Sequence, residues 1–319
     1  MISAAAFLDG LTVKNGSSWQ GLWIFPVCLI SPEFEKNGTE FSPLSEGIAR
    51  GTARALETGS MERMLIVNNG PRPLAALEGE TLEGGAQSRL ISAGAAVAPG
   101  AEAELPSCCV EVRRWDCRPG AADPIPDDKK TFRRADFSMG SLRRARMASA
   151  AKSAGSGGLF APNQKDVWEH IVRLFGESGA ASRALDLHDL YEHWDAPIRS
   201  FCARFSAFHN QTGLIAFLDK DIWFADIFAN RDLFLKYFRG VVRGHCFDAL
   251  LRLERGHNVP PSKSPGPDSA RDALKRIKLA RSTSFEIASA SGIFLSSPRI
   301  LGCALTSSSS ILHLSACSP

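Results

Sequence analysis

Long apolar runs, paired cysteines and a dominant charge are all missing from this chain of 319 residues. Its longest apolar run, Trp23–Ile30, is interrupted by Pro26 and falls far short of the roughly 20 residues a membrane helix needs. Met1–Leu11 carries no Lys or Arg ahead of its short apolar stretch, so it lacks the basic start of a secretory signal. Eight cysteines are too sparse for a disulfide scaffold, and no Cys-x-x-Cys spacing occurs. These features predict a soluble, cytoplasmic protein with reduced, buried thiols. The net charge of +3, from 37 basic and 34 acidic groups, is too balanced to require a nucleic-acid partner. No His-Glu-x-x-His, Walker or dinucleotide-binding glycine pattern is present, so no metal is expected and no cofactor can be named.

What is present is ordinary globular usage, 44% apolar and 22% charged, which excludes disorder throughout the chain. The charge is unevenly spread. Residues 1–111 hold 7 basic and 13 acidic groups, whereas residues 112–152 hold 11 and 5. An acidic first third followed by a basic segment predicts mutual contact, or an anion site at the junction.

Periodicity predicts an α+β protein. A β-rich N-terminal meander, a sandwich or distorted barrel, occupies residues 1–153, with short strands at 21–30, 64–68, 74–82, 89–97 and 103–112. Within it, Ala49, Ala53 and Leu56 predict a helix over 42–57. Ser141–Lys152 reads as a basic helix, and Ala154–Gly158 as a flexible boundary. Residues 159–256 supply helices and a β-hairpin: a helix after Asn163, a second over 184–208 with a break at Pro197, the hairpin 213–228, and a long amphipathic helix over 232–253. Residues 257–270 form a Pro-rich linker or insertion. Residues 271–319 supply a helix and a closing hairpin on the preceding region. The apolar stretches 300–305 and 311–316 pair around the serine run 307–310 and join the sheet of Gly213–Phe228, because a tail exposing them would aggregate.

Residues 77–115 read LEGETLEGGAQSRLISAGAAVAPGAEAELPSCCVEVRRW. Gly79, Glu80, Gly84, Gln87 and Arg89 are followed by the Pro99-Gly100 turn and then by Pro106, Cys109, Val110, Glu111, Arg114 and Trp115. Farther on come Gln164, Val167 and Trp168, then Gln211 and Gly213, and finally His313. This constellation resembles the ADP-ribosylglycohydrolase-and-rhodanese-phosphatase-associated protein domain family over nearly the whole chain. Ala86 stands where the family has Lys, Ser88 where it has Asn, Cys108 where it has Ser, and Val112-Arg113 where it has Gln-Gly. The resemblance implies a setting in NAD or ADP-ribose metabolism by association alone.

Two function classes stay open. One is a module or enzyme acting on an ADP-ribose-like or other phosphate-bearing small molecule. The other is a non-enzymatic interaction protein whose motif is structural. For the first, Glu80 and Glu111 are the candidate acid–base carboxylates, and Gln87, Arg89, Arg114 and Trp115 the candidate ligand-binding groups. If Glu78 and Glu80 share one strand, period two puts both carboxylates on one face, which suits acid–base work. Arginines nearby could fork onto a pyrophosphate. For the second, the same residues form a Glu–Arg network tying strands together. Glu80, Arg89, Glu111 and Arg114 are expected to converge. Cys109 reads as a core thiol, Asp186–Asp195 as a solvated acidic helix face, and Arg143, Arg144 and Arg146 as a solvated basic one.

Overall fold

The computed structural model describes residues 4–30, 40–113, 131–153, 162–257, 264–287, 289–307 and 310–319. In chain order the first half holds α1 (Ala4–Asp9), β1 (Leu11–Val13), β2 (Ser17–Trp19), β3 (Leu22–Leu29), β4 (Ser42–Pro43), α2 (Leu44–Ala49), β5 (Ala53–Glu57), β6 (Arg63–Asn68), β7 (Leu74–Ala76), β8 (Glu80–Gly84), β9 (Arg89–Ile91), β10 (Ala95–Val97), β11 (Glu102–Cys109), β12 (Phe132–Phe137) and α3 (Gly140–Ser153). The second half holds α4 (Gln164–Ser178), α5 (Leu187–His193), α6 (Asp195–Cys202), β13 (Gln211–Phe217), β14 (Trp223–Phe228), α7 (Arg231–Glu254), α8 (Pro267–Leu279), β15 (Arg281–Ile287), β16 (Ala290–Ser297), β17 (Ile300–Ser307) and β18 (Ser310–Cys317). The α+β class and the strand-rich first half are as the periodicity predicts.

Two large antiparallel sheets carry the fold. Six strands in the order β12-β8-β9-β11-β6-β5 form the first, and a bridge between Leu56 and Thr131 brings its last strand back beside its first. The result is a nearly closed barrel filled by Ala55, Met64, Ile66, Leu82, Ile91, Leu105 and Phe132. The second sheet runs β1-β3-β13-β14-β18-β17-β16-β15, with β2 added on β3. The closing hairpin is present, with β17 paired to β18 and β18 to β14. It lies inside a nine-stranded sheet, not the four-stranded one that two hairpins alone would make. β3, from the first half of the chain, pairs with β13, so residues 1–153 and 159–256 share this sheet.

β14 shows how the pleat sorts side chains. Trp223, Ala225 and Ile227 pack with Phe7 and Leu8 of α1 and with Ala270, Ala273 and Ile277 of α8. On the opposite face are Phe224, Asp226 and Phe228, and Phe228 packs with Phe234 and Tyr237 of α7. A charged residue thus occupies an inward position between two phenylalanines, and Arg143 of α3 reaches across to pair with it.

Several local expectations are corrected. The helix predicted over 42–57 stops at Ala49, because Gly51 takes φ +70° and residues 53–57 are claimed by pairing with β6. Alanine periodicity mimicked a helix there. The predicted strand 74–82 is two strands, β7 and β8, separated by Gly79 at φ +92°. The strand predicted over 89–97 likewise divides into β9 and β10, which belong to different sheets. The helix over 184–208 is α5 and α6, broken at Trp194; Pro197 sits in the first turn of α6, where its missing N–H costs nothing. α8 begins at Pro267, inside the predicted Pro-rich linker. The boundary expected at Ala154–Gly158 lies outside the described residues.

Candidate functional site

The motif residues fall into three places. Arg89 of β9 reaches into the barrel, where its Nη2 donates to Glu57 Oε2 at 2.9 Å, its Nη1 lies 3.2 Å from Cys109 Sγ, and Nη1 also donates to the Met61 carbonyl. Gln87 Oε1 is 3.2 Å from the same sulfur. Glu111 accepts the Ser88 N–H at 3.1 Å, its carbonyl lies 3.4 Å from Gln87 Nε2, and Ser88 Oγ donates to Asp186 at 2.7 Å. Glu80 joins neither group: its Oε2 accepts from the Leu77 N–H at 2.7 Å and lies 3.3 Å from Tyr237 Oη. The first two groups adjoin, since Gln87 bonds both the Cys109 sulfur and the Glu111 carbonyl and the charges of Arg89 and Glu111 both act on Cys109, whereas Glu80 bonds to neither. Arg114 and Trp115 lie outside the described residues. Ala86, at the position of the family lysine, is buried and donates its N–H to Glu57.

The other motif positions are also built into the frame. Gln164, the first residue of α4, donates to the Cys109 carbonyl at 2.8 Å and accepts the Cys109 N–H at 2.9 Å, as a neighbouring strand would. Gln211 bonds the Phe208 N–H and the Gly213 carbonyl. Burial pushes the Cys109 thiol up to about 11 despite Arg89, which favours the core-thiol reading.

Glu78 and Glu80 do not share a face. Gly79 turns the backbone between them, and a β-carbon there would fall 2.3 Å from Arg143 Nε, so the position is closed to any larger residue. Glu78 instead enters a buried charge network. Arg143 Nη1 and Nη2 clasp the two Asp226 oxygens at 2.9 Å each, and Nη2 also donates to Glu78 at 2.7 Å. Arg146 and Ser315 complete Glu78, both at 2.9 Å, and His313 Nε2 lies 3.1 Å from Asp226. The Arg143 guanidinium sits between the Phe137 and Phe224 rings, 4.5 and 4.2 Å from their centroids. Burial alone would raise both carboxyls, but the arginines override it and hold Glu78 low and Asp226 well below the ordinary range. The predicted solvated basic face is thus corrected, since Arg143 and Arg146 are fully buried. The charge complementarity behind that expectation survives as an internal clamp. Glu80, without an arginine, is pushed by burial up to about 8.

On α5 the expected solvated face holds at Glu192 and His193, which are exposed, and at the half-buried Asp189, but not at His188. Asp186 caps that helix, and His188 is buried with neither ring nitrogen hydrogen-bonded. Burial takes its pKa down to about 4. Among the described residues no cluster of His, Cys, Asp and Glu could hold a metal ion, and no helix is long and apolar enough to cross a membrane.

A cavity of about 280 Å³ opens between α3, α4, α7 and the β13–β14 hairpin. Arg144, Arg173, Arg252 and Arg255 line it, against the carboxylates Glu177 and Asp248. Leu174, Ala216, Phe224 and Leu251 form its apolar walls. Arg255 pairs with Glu177, and Arg252 with Asp219 at 3.2 Å. His170 Nδ1 lies 2.5 Å from Arg173 Nη2. A guanidinium only donates, so Nδ1 is the acceptor and the ring proton sits on Nε2. That Nε2 is buried without a partner. Burial first, then Arg173, Arg144 and Arg255, bring His170 down to about 4, so the ring is neutral at pH 7. The cavity therefore holds four arginines, of which Arg144 and Arg173 have no carboxylate partner among the described residues, and a spare N–H donor, a set suited to an anionic oxygen.

Sequence reasoning singled out only Arg144 of these residues, and for another role. The available signal was polar spacing within apolar helices: His170, Arg173 and Glu177 on α4, and His245, Asp248, Arg252 and Arg255 along α7, each at intervals of three or four. The apolar stripes on the same helices conceal it.

No curated protein and no solved structure matches the chain. One family does: its model, described as the ARG and Rhodanese-Phosphatase-superfamily-associated Protein domain, matches residues 10–317, and the chain belongs to that family.

Proposed function

We propose that this protein binds a phosphate-bearing small molecule, ADP-ribose-like compounds included, in the cavity between α3, α4 and α7. The observation that carries the proposal is the lining itself, where Arg144, Arg173 and a neutral histidine donor stand beside Arg252 and Arg255, which are paired to Asp219 and Glu177, and against an apolar wall that includes Phe224. Reading ARG in the family description as ADP-ribosylglycohydrolase belongs to the same proposal and supplies NAD- or ADP-ribose-linked metabolism as its context. The motif residues Glu80, Gln87, Arg89 and Glu111 are in this reading the frame, and the ligand does not touch them. A reducing, cytoplasmic setting suits the seven free cysteines of the described residues. Thermal-shift measurements with NAD, ADP-ribose and phosphorylated sugars test the proposal. A ligand at ~100 times its dissociation constant should add roughly 2.7 kcal/mol of stability. The increment should shrink in Arg173→Ala and Arg255→Ala. Unchanged melting with every phosphate-bearing compound would remove the proposal.

A further inference from the structure

We infer that the cavity takes a phosphorylated sugar or polyol, with the phosphate at its mouth and the hydroxyls against Asp248; this rests on the phosphate-binding reading above. The lining residues are sorted by depth. Arg173 and Arg255 are exposed and Arg144 and Arg252 half-buried, whereas Asp248 and His245 are only 5% and 3% exposed. Cationic groups therefore stand at the entrance, and the inner end is set by a carboxylate. A dianionic phosphate at the inner end would face like charge, while at the mouth it meets guanidinium groups.

Asp248 is held in place. Its Oδ2 accepts the Ser141 N–H at 2.9 Å and its Oδ1 the Ser141 hydroxyl at 2.5 Å. An ionised carboxylate has about four acceptor sites, so lone pairs remain on both oxygens. An acceptor-only group at the floor of a cavity selects hydroxyl or amine donors. Gly140 keeps that floor open, because a β-carbon there would stand 3.2 Å from His245 Nδ1 and Cε1 and 3.3 Å from Asp248 Oδ2. Phe224, on the inward face of β14, together with Leu174 and Leu251, supplies an apolar flank for the C–H face of a sugar ring. The volume of about 280 Å³ lies at the small end for ligand sites, so a pentose or hexose phosphate would fit whole, and a dinucleotide by one end.

Isothermal titration calorimetry of the full chain with four probes tests this: inorganic phosphate, ribose, ribose 5-phosphate, and pentyl phosphate as a hydroxyl-free chain of matching length. Ribose 5-phosphate should bind at least about tenfold more tightly than pentyl phosphate or inorganic phosphate, since hydrogen bonds to a buried charged acceptor carry the difference. Asp248→Asn should reduce the preference for ribose 5-phosphate over pentyl phosphate about fivefold or more. Gly140→Ala, which crowds the floor at Asp248 Oδ2 and the His245 ring but keeps the carboxylate, should do the same and serves where Asp248→Asn melts early. Equal affinity for ribose 5-phosphate and pentyl phosphate would overturn the inference and leave phosphate binding standing. So would a Gly140→Ala protein that keeps the full preference. Failure of every phosphate-bearing probe to bind would overturn both.

Discussion

The barrel with its buried clamp and the helix-lined cavity both use arginine, in opposite ways. In the first, Arg89, Arg143 and Arg146 are buried and each meets a carboxylate: Glu57 for Arg89, Glu78 and Asp226 for Arg143, Glu78 for Arg146. Little of their charge is left for a ligand. In the second, the arginines are partly or fully exposed; Arg252 and Arg255 pair with Asp219 and Glu177, while Arg144 and Arg173 meet no carboxylate among the described residues. The comparison teaches that a long, specific sequence motif can record how a frame is held together. Capacity to bind lies where charge is left uncompensated.

The largest effect should come from breaking the clamp. Arg143→Met leaves Glu78 and Asp226 buried beside a methyl thioether, and stranding a buried charge costs ~3–5 kcal/mol. Arg144→Met, one residue along the same helix but on the cavity side, should stay within about 0.5 kcal/mol. Urea denaturation of the two variants measures the contrast directly, and equal losses would erase it.

Next in size is the pH dependence. The pKa of Glu80 is raised to about 8, so its contribution to stability is full below its unfolded value, near 4.5, and is lost as pH rises through 8. Glu80→Gln should remove this alkaline limb, on the order of a few kcal/mol between pH 5 and 9. His170 and His188 act in the other direction. Both are depressed to about 4, so their contribution is present above about 6.5 and is lost as pH falls toward 4. Denaturation midpoints across pH 4–9 report both limbs, and a Glu80→Gln protein retaining the wild-type alkaline slope would contradict the assignment.

Much of the fold was legible in the sequence. Turn signals and alternation marked the meander, and apolar residues on both sides of Ser307–Ser310 marked the closing hairpin against the pull of composition. Glu78 and Glu80 were misplaced because nothing local says that Gly79 must take a positive φ. That requirement comes from Arg143, 64 positions later, which needs the space a side chain would fill. Arg143 and Arg146 read as solvent-facing because burial of a guanidinium depends on partners from β14, β18 and the turn before β8, and no window of sequence contains them. The cavity was missed for the same reason: it exists only where three helices and a hairpin meet.

Thiol reactivity sharpens the comparison further. Cys109 is raised to about 11 by burial, so little thiolate exists at pH 7. Cys202, half-buried on α6, is lowered, first by a hydrogen bond from Cys246. Iodoacetamide should modify Cys202 in the folded protein and leave Cys109 untouched, as peptide mass mapping would show. Rapid labelling of Cys109 would contradict the core-thiol reading and make it a candidate nucleophile. Cys109→Ser should destabilise by about 1 kcal/mol, a packing and polarity cost.

The smallest effect on stability should accompany the largest effect on binding. Arg173 is exposed, and its guanidinium donates to His170 Nδ1. Arg173→Ala should therefore change stability by no more than about 0.5 kcal/mol. The same change removes a cation from the cavity mouth and leaves Nδ1 of the imidazole without its donor. With that charge gone, the His170 pKa moves up toward its ordinary value, so the acid limb of the stability profile shortens. Affinity for a phosphate-bearing ligand should fall about tenfold at neutral pH, since a charge-assisted hydrogen bond is worth ~1.5–3 kcal/mol. The residual affinity should rise as pH falls, because a protonated His170 then supplies the missing charge. An Arg173→Ala protein with normal stability and unchanged affinity would place the ligand elsewhere. One that melted as early as Arg143→Met would show that the cavity arginines, too, belong to the frame.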